Sequence, residues 1–321
     1  MSLGLVFSPQ GSQAVGMGLA LANRSPAARE VFLAADEVVG WSVSERAWHG
    51  PEEALNDTRQ TQPCLMTTSL ACLRSLEEAL AARGERLEPA FVAGHSVGEY
   101  AALVAAGVLD FRDALRLVAR RGELMADAGV PGGMTAVIGL DRPAVAAVVE
   151  EMAAGERLVV ANDNAPGQVV ISGQEAPLAE AALRLRAAGA RRVIPLNVSG
   201  PFHTPMMSGV GASLAATFDE ATWHDADPPM ISNVTAEPVR DADKIRALLA
   251  RQVSAPVEWV ASMQHMAAEG VDTFVECGPG GALADMIRRI APHARTLAVS
   301  DPASLARALE ALVSAGARVS V

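Results

Sequence analysis

The pentapeptide Gly94-His95-Ser96-Val97-Gly98 is the part of this sequence that points most directly to chemistry. It stands between an apolar run, Phe91-Val92-Ala93, and a helix-like stretch that begins at Glu99. A Gly-x-Ser-x-Gly motif between a strand and a helix is typical of the nucleophile elbow, whose sharp turn exposes the serine hydroxyl. The backbone N–H of Val97 would then face an oxyanion formed on an attacked carbonyl. The motif therefore predicts an acyl-enzyme intermediate on Ser96.

A serine nucleophile needs a base, and His203 is the best-placed candidate. It lies in a proline-flanked loop directly after a predicted strand, where α/β scaffolds place functional residues. His95 adjoins Ser96, but neighbours in a tight turn point apart, so we expect no direct role for it. The remaining histidines have polar or helical surroundings typical of the surface: His49, His224, His265 and His293. These features also allow His203 to be a helix cap, and they single out no carboxylate partner for it.

Arg121 is a candidate for binding an anionic substrate group. Its neighbours in Val118-Ala119-Arg120-Arg121-Gly122 and beyond are apolar at helical spacing, so one arginine of the pair could point inward. A buried guanidinium needs an anionic partner, and its planar fork suits a carboxylate. The alternative from the residues alone is an exposed arginine pair on a helix surface.

Composition restricts the class of protein. The chain has 321 residues, half of them hydrophobic, and a formal net charge of −11. An acidic surface argues against general nucleic-acid binding, which requires basic side chains. Cys64, Cys72 and Cys277 have no metal-binding spacing and lie in apolar stretches, which predicts buried free thiols in a reducing compartment. We find no export signal and no apolar run long enough to span a membrane, so the prediction is a cytoplasmic protein without a membrane segment.

The order of elements predicts an α/β fold with a mostly parallel sheet. Apolar strands at Leu3–Phe7, Phe91–Gly94, Met230–Asn233 and Asp272–Glu276 alternate with helices. The predicted helices of this part lie at Ala27–Val39, Pro63–Leu80, Phe111–Ala126, Ala242–Gln252, Val257–Ala268, Gly281–Ile290 and Ser304–Ala315. The rhythm changes between about 130 and 200, where the order becomes β-α-β-β-α-β, as in a ferredoxin-like unit. Its predicted strands are Met134–Leu140, Arg157–Asn162, Gln168–Ser172 and Arg192–Asn197. We therefore predict a core formed by 1–129 and 199–321, with an inserted subdomain at 130–198.

Taken together, these motifs resemble the malonyl-CoA:acyl carrier protein transacylase family of fatty acid and polyketide synthesis. The resemblance extends over about residues 3–300 in a fixed order of short motifs. They are Gln10-Gly11-Ser12-Gln13, Gly16-Met17-Gly18, Gln60-Thr61-Gln62-Pro63, Gly94–Tyr100, Arg121-Gly122, Asn162–Gln168, Pro201-Phe202-His203, Ser232-Asn233-Val234, Gln252, Pro256–Trp259 and Gly278-Pro279-Gly280. The family fold is an α/β-hydrolase-like core with a ferredoxin-like insertion, in agreement with the element order.

The resemblance implies a role for each candidate residue in ping-pong acyl transfer. His203 activates Ser96 and is oriented by the backbone carbonyl of Gln252, so no carboxylate is required. Arg121, 25 residues after the serine as in the family, binds the free carboxylate of malonyl-CoA. The N–H groups of Val97 and Gln10 form the oxyanion hole.

The resemblance also assigns Phe202 and Asn164 to the substrate pocket. Phe202 matches a bulky residue that crowds out an α-methyl branch, and Val97 after the serine also favours malonyl over methylmalonyl. One departure is Ser8-Pro9 in place of the family's Pro-Gly before Gln10, which puts the geometry of the Gln10 N–H in question.

The implied partners are malonyl-CoA and the phosphopantetheine arm of an acyl carrier protein, with no bound metal or permanent cofactor, and we expect a monomer. Carrier proteins are acidic, so docking requires a basic patch on this acidic chain. Two arginine groups qualify, with the first favoured: Arg184, Arg186, Arg191 and Arg192, and Arg288, Arg289 and Arg295. Alternative functions are malonyl loading in a malonate decarboxylase or a trans-acting polyketide system, and an acyl hydrolase of the same fold.

Overall fold

The protein is described by a computed structural model that covers residues 2–314. The strands are β1 (Leu3–Phe7), β2 (Phe91–Gly94), β3 (Gly133–Ile138), β4 (Leu158–Ala165), β5 (Gln168–Gly173), β6 (Arg192–Pro195), β7 (Met230–Ile231), β8 (Pro238–Val239), β9 (Thr273–Cys277) and β10 (Arg295–Val299). The helices are α1 (Leu19–Ala22), α2 (Pro26–Val39), α3 (Val43–His49), α4 (Glu52–Leu55), α5 (Thr58–Ala81), α6 (Gly98–Ala105), α7 (Phe111–Ala126), α8 (Arg142–Glu151), α9 (Glu175–Ala187), α10 (Ser208–Ala215), α11 (Ala242–Gln252), α12 (Trp259–Ala268), α13 (Ala282–Ile290) and α14 (Pro302–Ser314).

The first sheet has the strand order β10-β9-β1-β2-β7-β8, and its strands are parallel except for the β7–β8 pair. Every residue of the central strand β1 is buried, which explains its unbroken apolar sequence. Phe7 at the end of β1 lies in register with Gly94 at the end of β2. The loops that carry Gln10 and Ser96 therefore leave the sheet side by side, at the carboxyl edge where α/β folds place their sites. The predicted α/β fold with a mostly parallel sheet is confirmed.

The second sheet is antiparallel, with the strand order β4-β5-β3-β6. In chain order it is β3-α8-β4-β5-α9-β6, with its own small apolar core that includes Val137, Leu158, Ile171 and Leu185. This is the ferredoxin-like arrangement, so the second part of the fold prediction is also confirmed. All four strands fall within 130–198, and the exact boundaries of the two domains stay a prediction.

Strand β4 is longer than the sequence pattern indicates. It runs to Ala165 through two irregularities, so the prediction that the strand ends at Asn162 is wrong, and the turn is formed by Pro166 and Gly167. Asn162 forms a parallel bridge to Val257 of the core, and the Asp163 N–H donates to the Val257 carbonyl oxygen at 3.1 Å. These contacts with the core keep the polar Asn-Asp-Asn segment extended against its turn propensity.

Helix α5 begins at Thr58 rather than at Pro63, because burial of Thr61 and Gln62 outweighs the preference of proline for a helix start. Six elements were not predicted, because their apolar patterns are too short or too exposed to stand out in the sequence: α1, α3, α4, α10, β8 and β10. The last helix spans Pro302–Ser314, and Ala315, its predicted end, lies outside the described residues. Among the helices of residues 2–314, none combines the length and apolarity needed to cross a membrane.

Candidate active site

Ser96 stands at a strained turn between β2 and α6. Its φ is 52°, in the left-handed region that side-chain-bearing residues seldom occupy. The flanking glycines are needed for close packing: a Cβ on Gly94 would lie 2.0 Å from the Gly98 carbonyl oxygen, and one on Gly98 would lie 2.2 Å from the Phe7 carbonyl oxygen. Asn233 holds the turn by accepting the Ser96 N–H at 2.7 Å and donating to the Gly94 carbonyl oxygen at 2.6 Å. Strain stored at a fixed position is typical of functional residues.

His203 follows β6 and meets Ser96 directly. Its Nε2 lies 2.9 Å from Ser96 Oγ, and its Nδ1 lies 2.9 Å from the Gln252 carbonyl oxygen and 3.2 Å from that of Ala255. Because carbonyl oxygens only accept, Nδ1 carries the proton and Nε2 is the free base that faces the serine. His203 also has a positive φ, 61°, and its N–H donates to the Val253 carbonyl oxygen at 3.0 Å. The arrangement can abstract the serine proton without a carboxylate partner.

Burial and the nearby charge of Arg121 lower the pKa of His203 to about 3. The imidazole is therefore neutral at physiological pH and available as a base. The two carbonyls on Nδ1 act in the opposite direction, because they favour the protonated ring that forms when the serine proton moves.

Arg121 on α7 is fully buried and points at the nucleophile. Its Nη1 donates to Gln62 Oε1 at 2.7 Å, and its Nη2 donates to Ser96 Oγ at 3.1 Å and to Gln252 Oε1 at 2.9 Å. The guanidinium carbon also lies 5.8 Å from the centre of the Tyr100 ring. Among residues 2–314 no carboxylate contacts this guanidinium, whereas Arg120 beside it is exposed and pairs with Glu123. A buried cation beside a nucleophile can bind an anionic group of the substrate.

The predicted oxyanion donors, Gln10 and Val97, flank the serine from two loops. Within residues 2–314 neither backbone N–H has an acceptor, so both are free to donate to a ligand. The Gln10 loop is fixed at its base because Ser8 Oγ donates to Glu276 Oε1 at 2.8 Å. Glu276 in turn accepts the Ala284 N–H of α13 at 2.8 Å. The serine that departs from the family pattern thus connects this loop to a second layer of the fold.

A cavity of about 290 Å³ opens over Ser96 and His203 between the two sheets. Gln10, Met125 and Phe202 line it from the side of the first sheet, and Met134, Asn164 and Leu196 line it from the side of the second.

The two residues predicted to line the substrate pocket, Phe202 and Asn164, both lie at this cavity. Phe202 is buried, and Asn164 Oδ1 accepts a hydrogen bond from His95 Nε2 at 2.7 Å. Within residues 2–314 His95 forms no hydrogen bond with the Ser96 hydroxyl, although both residues line the cavity. The other histidines lie away from the cavity, with His49, His224 and His293 exposed.

Three buried polar residues near the site had no role assigned from the sequence: Gln62, Glu99 and Asn233. All three belong to motifs that carried the resemblance, but sequence alone does not show that Gln62 contacts Arg121 or that Asn233 contacts the elbow. Glu99 lies in the first turn of α6, where an acidic residue interacts favourably with the helix dipole even when it is exposed to solvent. Its position in the sequence therefore does not indicate that the carboxylate is buried. Across residues 2–314, no group of three or more His, Cys, Asp or Glu side chains is arranged to hold a metal ion.

Comparison with known proteins agrees with the geometry. A family model described as an acyl transferase domain matches residues 5–304, which together with the Ser96–His203 pair defines an acyltransferase. Among curated relatives, the malonyl CoA-acyl carrier protein transacylase of Bacillus subtilis is 40% identical over 97% of both chains. That of Escherichia coli K12 is 41% identical over 95% of this chain and 98% of its own. The chain belongs to the malonyl-CoA:acyl carrier protein transacylase family.

Solved structures of proteins named as malonyl transacylases superpose closely on this chain. An acyl-carrier-protein S-malonyltransferase from Burkholderia pseudomallei superposes with a TM-score of 0.91 at 40% identity, over 97% of this chain and 100% of the other. A malonyl-transacylase solved in complex with a type II polyketide acyl-carrier protein gives 0.91 at 38% identity, with the same coverage.

Proposed function

We propose that this protein transfers a malonyl group from malonyl-CoA to the pantetheine thiol of an acyl carrier protein, through a malonyl ester on Ser96. The observation that carries the proposal is the 3.1 Å distance from Arg121 Nη2 to Ser96 Oγ. A buried cation at this position favours an acyl group that ends in a carboxylate. The names of the relatives support the same substrates, and one neighbour was solved with a type II polyketide acyl-carrier protein. We also propose that the protein supplies malonyl groups to fatty acid or polyketide synthesis.

The proposed reaction has two half-reactions. His203 Nε2 takes the proton of Ser96 while Oγ attacks the thioester carbonyl. The N–H groups of Val97 and Gln10 stabilise the resulting oxyanion, an effect of roughly 3–4 kcal/mol per donor in comparable sites. Collapse of the intermediate breaks the carbon–sulfur bond, and the departing CoA sulfur takes the proton from His203. The carrier thiol then repeats these steps on the ester and returns the proton to Ser96.

Phe202 and Asn164 are proposed to shape the acyl pocket. Phe202 is a rigid, buried wall of the cavity next to His203, where an α-methyl branch would need space. Rejection of one methyl group contributes only about 1–3 kcal/mol, so this preference is weaker than the requirement for a carboxylate. Asn164 is held by His95 and presents a polar surface to the substrate from the second sheet.

The proposed chemistry uses only side chains and backbone groups and requires no resident cofactor or metal. We also propose a cytoplasmic location. It is supported by three free, buried cysteines, since oxidising compartments favour disulfides.

The proposal is tested by intact-mass measurement after the protein is mixed with malonyl-CoA and then with holo carrier protein. We expect one malonyl adduct, located on Ser96 by peptide mapping, which persists in buffer and disappears when the carrier is added. An adduct that water removes as fast as the carrier does would indicate the hydrolase alternative. The absence of any adduct would contradict the proposed intermediate.

We propose that the carrier docks at strand β6, beside the cavity. Arg191 and Arg192 are exposed there, next to the exposed apolar side chains of Ile194 and Leu196, and Leu196 also lines the cavity. In the competing group, Arg288 pairs with Asp285 and Arg289 donates to the Pro166 carbonyl oxygen, so their charges are partly engaged.

Reversing both charges with Arg191→Glu and Arg192→Glu should raise the KM for an acidic carrier by about tenfold and leave malonyl loading from CoA unchanged. Rim charges act mainly on encounter with the partner, so the effect should shrink as salt increases. The matched comparison is Arg288→Glu with Arg295→Glu, for which we expect little change. If the second pair of substitutions has the larger effect, docking takes place at the other cluster.

A further inference from the structure

Glu99 is a buried carboxyl group to which the proposed mechanism gives no role. It lies on the first turn of α6, three residues after the nucleophile, and its relative exposure is 3%. Placing a carboxylate in the interior is costly unless its oxygens are fully hydrogen-bonded. Its contacts therefore show what it holds in place.

Both carboxylate oxygens of Glu99 accept N–H groups from residues that hold the site. Oε1 accepts the backbone N–H of Asn233 at 3.0 Å, and Oε2 accepts Nε2 of Gln252. Asn233 is the residue whose side chain fixes the strained turn at Ser96. Gln252 is the residue whose carbonyl oxygen orients His203. Glu99 thus connects the segment that holds the nucleophile with the segment that holds the base.

The side chain of Gln252 extends this connection to Arg121. Its Oε1 accepts Nη2 of Arg121 at 2.9 Å, and its Nε2 also donates to the Ser96 carbonyl oxygen at 2.8 Å. A guanidinium only donates and a backbone carbonyl only accepts, so a single orientation of the amide satisfies both partners. In that orientation Nε2 faces Glu99, and the group at position 99 must accept.

We propose that Glu99 is a positioning residue that holds the Gln252 carboxamide against Arg121, keeps the guanidinium beside Ser96, and supplies its countercharge through one intervening amide. The inference rests on the proposed function, because the role of Arg121 is to receive the malonyl carboxylate. A glutamine at position 99 cannot replace the carboxylate, since either orientation of its amide directs an NH₂ group at Asn233 N–H or at Gln252 Nε2. Loss of this acceptor lets the Gln252 amide turn away from Arg121.

The surroundings of Glu99 make its charge sensitive to pH. Burial raises the pKa of Glu99 to about 7, against the lowering effects of its hydrogen bonds and of Arg121. Two ionisable groups among the described residues face Glu99, namely Arg121 on α7 and Tyr100 on α6. The other elements packed against Glu99 are β7, the turn after it, β8 and α11. They present only uncharged side chains: Met230, Ser232, Val239, Ile245, Leu248 and Leu249. The pKa values of His95 and His203 are lowered to about 4 and about 3, so neither titrates near neutrality. Because the pKa is raised, the ionised form that accepts both bonds is present above about pH 7 and is lost as the pH falls.

The test is Glu99→Gln in the full chain, with the rate of malonyl-Ser96 formation followed by rapid-quench intact mass between pH 5.5 and 8.5. We expect the saturating rate to fall by about 10- to 100-fold, the range for a lost hydrogen bond to a charged group. We also expect the decline on the acid side of pH 7, present in the unsubstituted protein, to disappear. Glu123→Gln, an exposed carboxylate on α7, is the matched control and should match the unsubstituted protein.

Two further variants separate positioning from simple damage to the fold. Glu99→Asp keeps two acceptor oxygens, so it should load faster than Glu99→Gln and retain the acid-side decline. Adding Glu99→Gln to Arg121→Ala should cost little more than Arg121→Ala alone, because both changes remove the same interaction. A Glu99→Gln protein with the loading rate and pH profile of the unsubstituted protein overturns the inference, as does full additivity with Arg121→Ala. Failure of the unsubstituted protein to form any adduct overturns the proposed function instead.

Discussion

Replacing Ser96 with alanine will abolish the malonyl adduct and lower transfer to the carrier by about 10⁴- to 10⁶-fold, the range seen when a serine-enzyme nucleophile is removed. The substitution removes the attacking Oγ, which lies 2.9 Å from His203 Nε2. His203→Ala should cost about as much, because the hydroxyl then has no base. The double variant should be no slower than either single one, since the two side chains perform one proton transfer together. The measurement is the single-turnover rate of adduct formation and of transfer to holo carrier.

His293→Ala is the matched control for removal of an imidazole, since this exposed side chain lies away from the cavity. It should retain full activity. Thermal unfolding should show that the Ser96→Ala and His203→Ala proteins remain folded. An adduct that survives on Ser96→Ala would place the nucleophile elsewhere and contradict the assignment.

Much of the fold could be predicted because many of its strands and helices coincide with clear local patterns of apolar residues in the sequence. The buried strands Leu3–Phe7 and Phe91–Gly94 are bounded as the apolar runs indicate, and the β-α-β-β-α-β order appears in the second sheet. The sequence is less informative where tertiary contacts outweigh propensity. The Asn-Asp-Asn segment of β4 has loop composition, and its extended conformation depends on Val257, which is about 95 residues away in sequence.

The same holds for the candidate site: features formed by residues adjacent in sequence were predictable, and contacts between residues far apart in sequence were not. The elbow was predictable because its five residues and the strand and helix around it are adjacent in sequence. The residues alone identified no partner for His203, because that partner is a backbone carbonyl, and a main-chain group has no residue type to recognise. Only the family resemblance indicated Gln252. Apolar spacing alone left Arg121 and Arg120 ambiguous, and the family spacing from the serine selected Arg121. The structure buries Arg121 and exposes Arg120. Glu99 was overlooked because its contacts with Asn233 and Gln252 join residues more than 130 positions apart.

Replacing Arg121 with alanine should reduce malonyl loading by about 30- to 5,000-fold while acetyl loading holds or rises. Removing one member of a buried charge pair costs about 2–5 kcal/mol, and the malonyl carboxylate would lose its charged partner on entering the cavity. An acetyl group has no carboxylate and makes no such contact. Its reaction also gains from the loss of the cation, because the charge of Arg121 lowers the pKa of His203. With that charge removed, His203 becomes the stronger base.

Arg120→Ala provides the matched control for Arg121→Ala, since it removes the neighbouring, exposed guanidinium of the same helix. Its malonyl-to-acetyl loading ratio should equal that of the unsubstituted protein. Arg121→Met fills more of the vacated space than alanine and still lacks a charge, so it should show the same reversal of preference if electrostatics sets the selectivity. The measurement is competitive loading from an equal mixture of malonyl-CoA and acetyl-CoA, resolved by intact mass. Equal losses of both acyl groups in Arg121→Ala and Arg121→Met would mean that the side chain supports the fold and does not select the substrate.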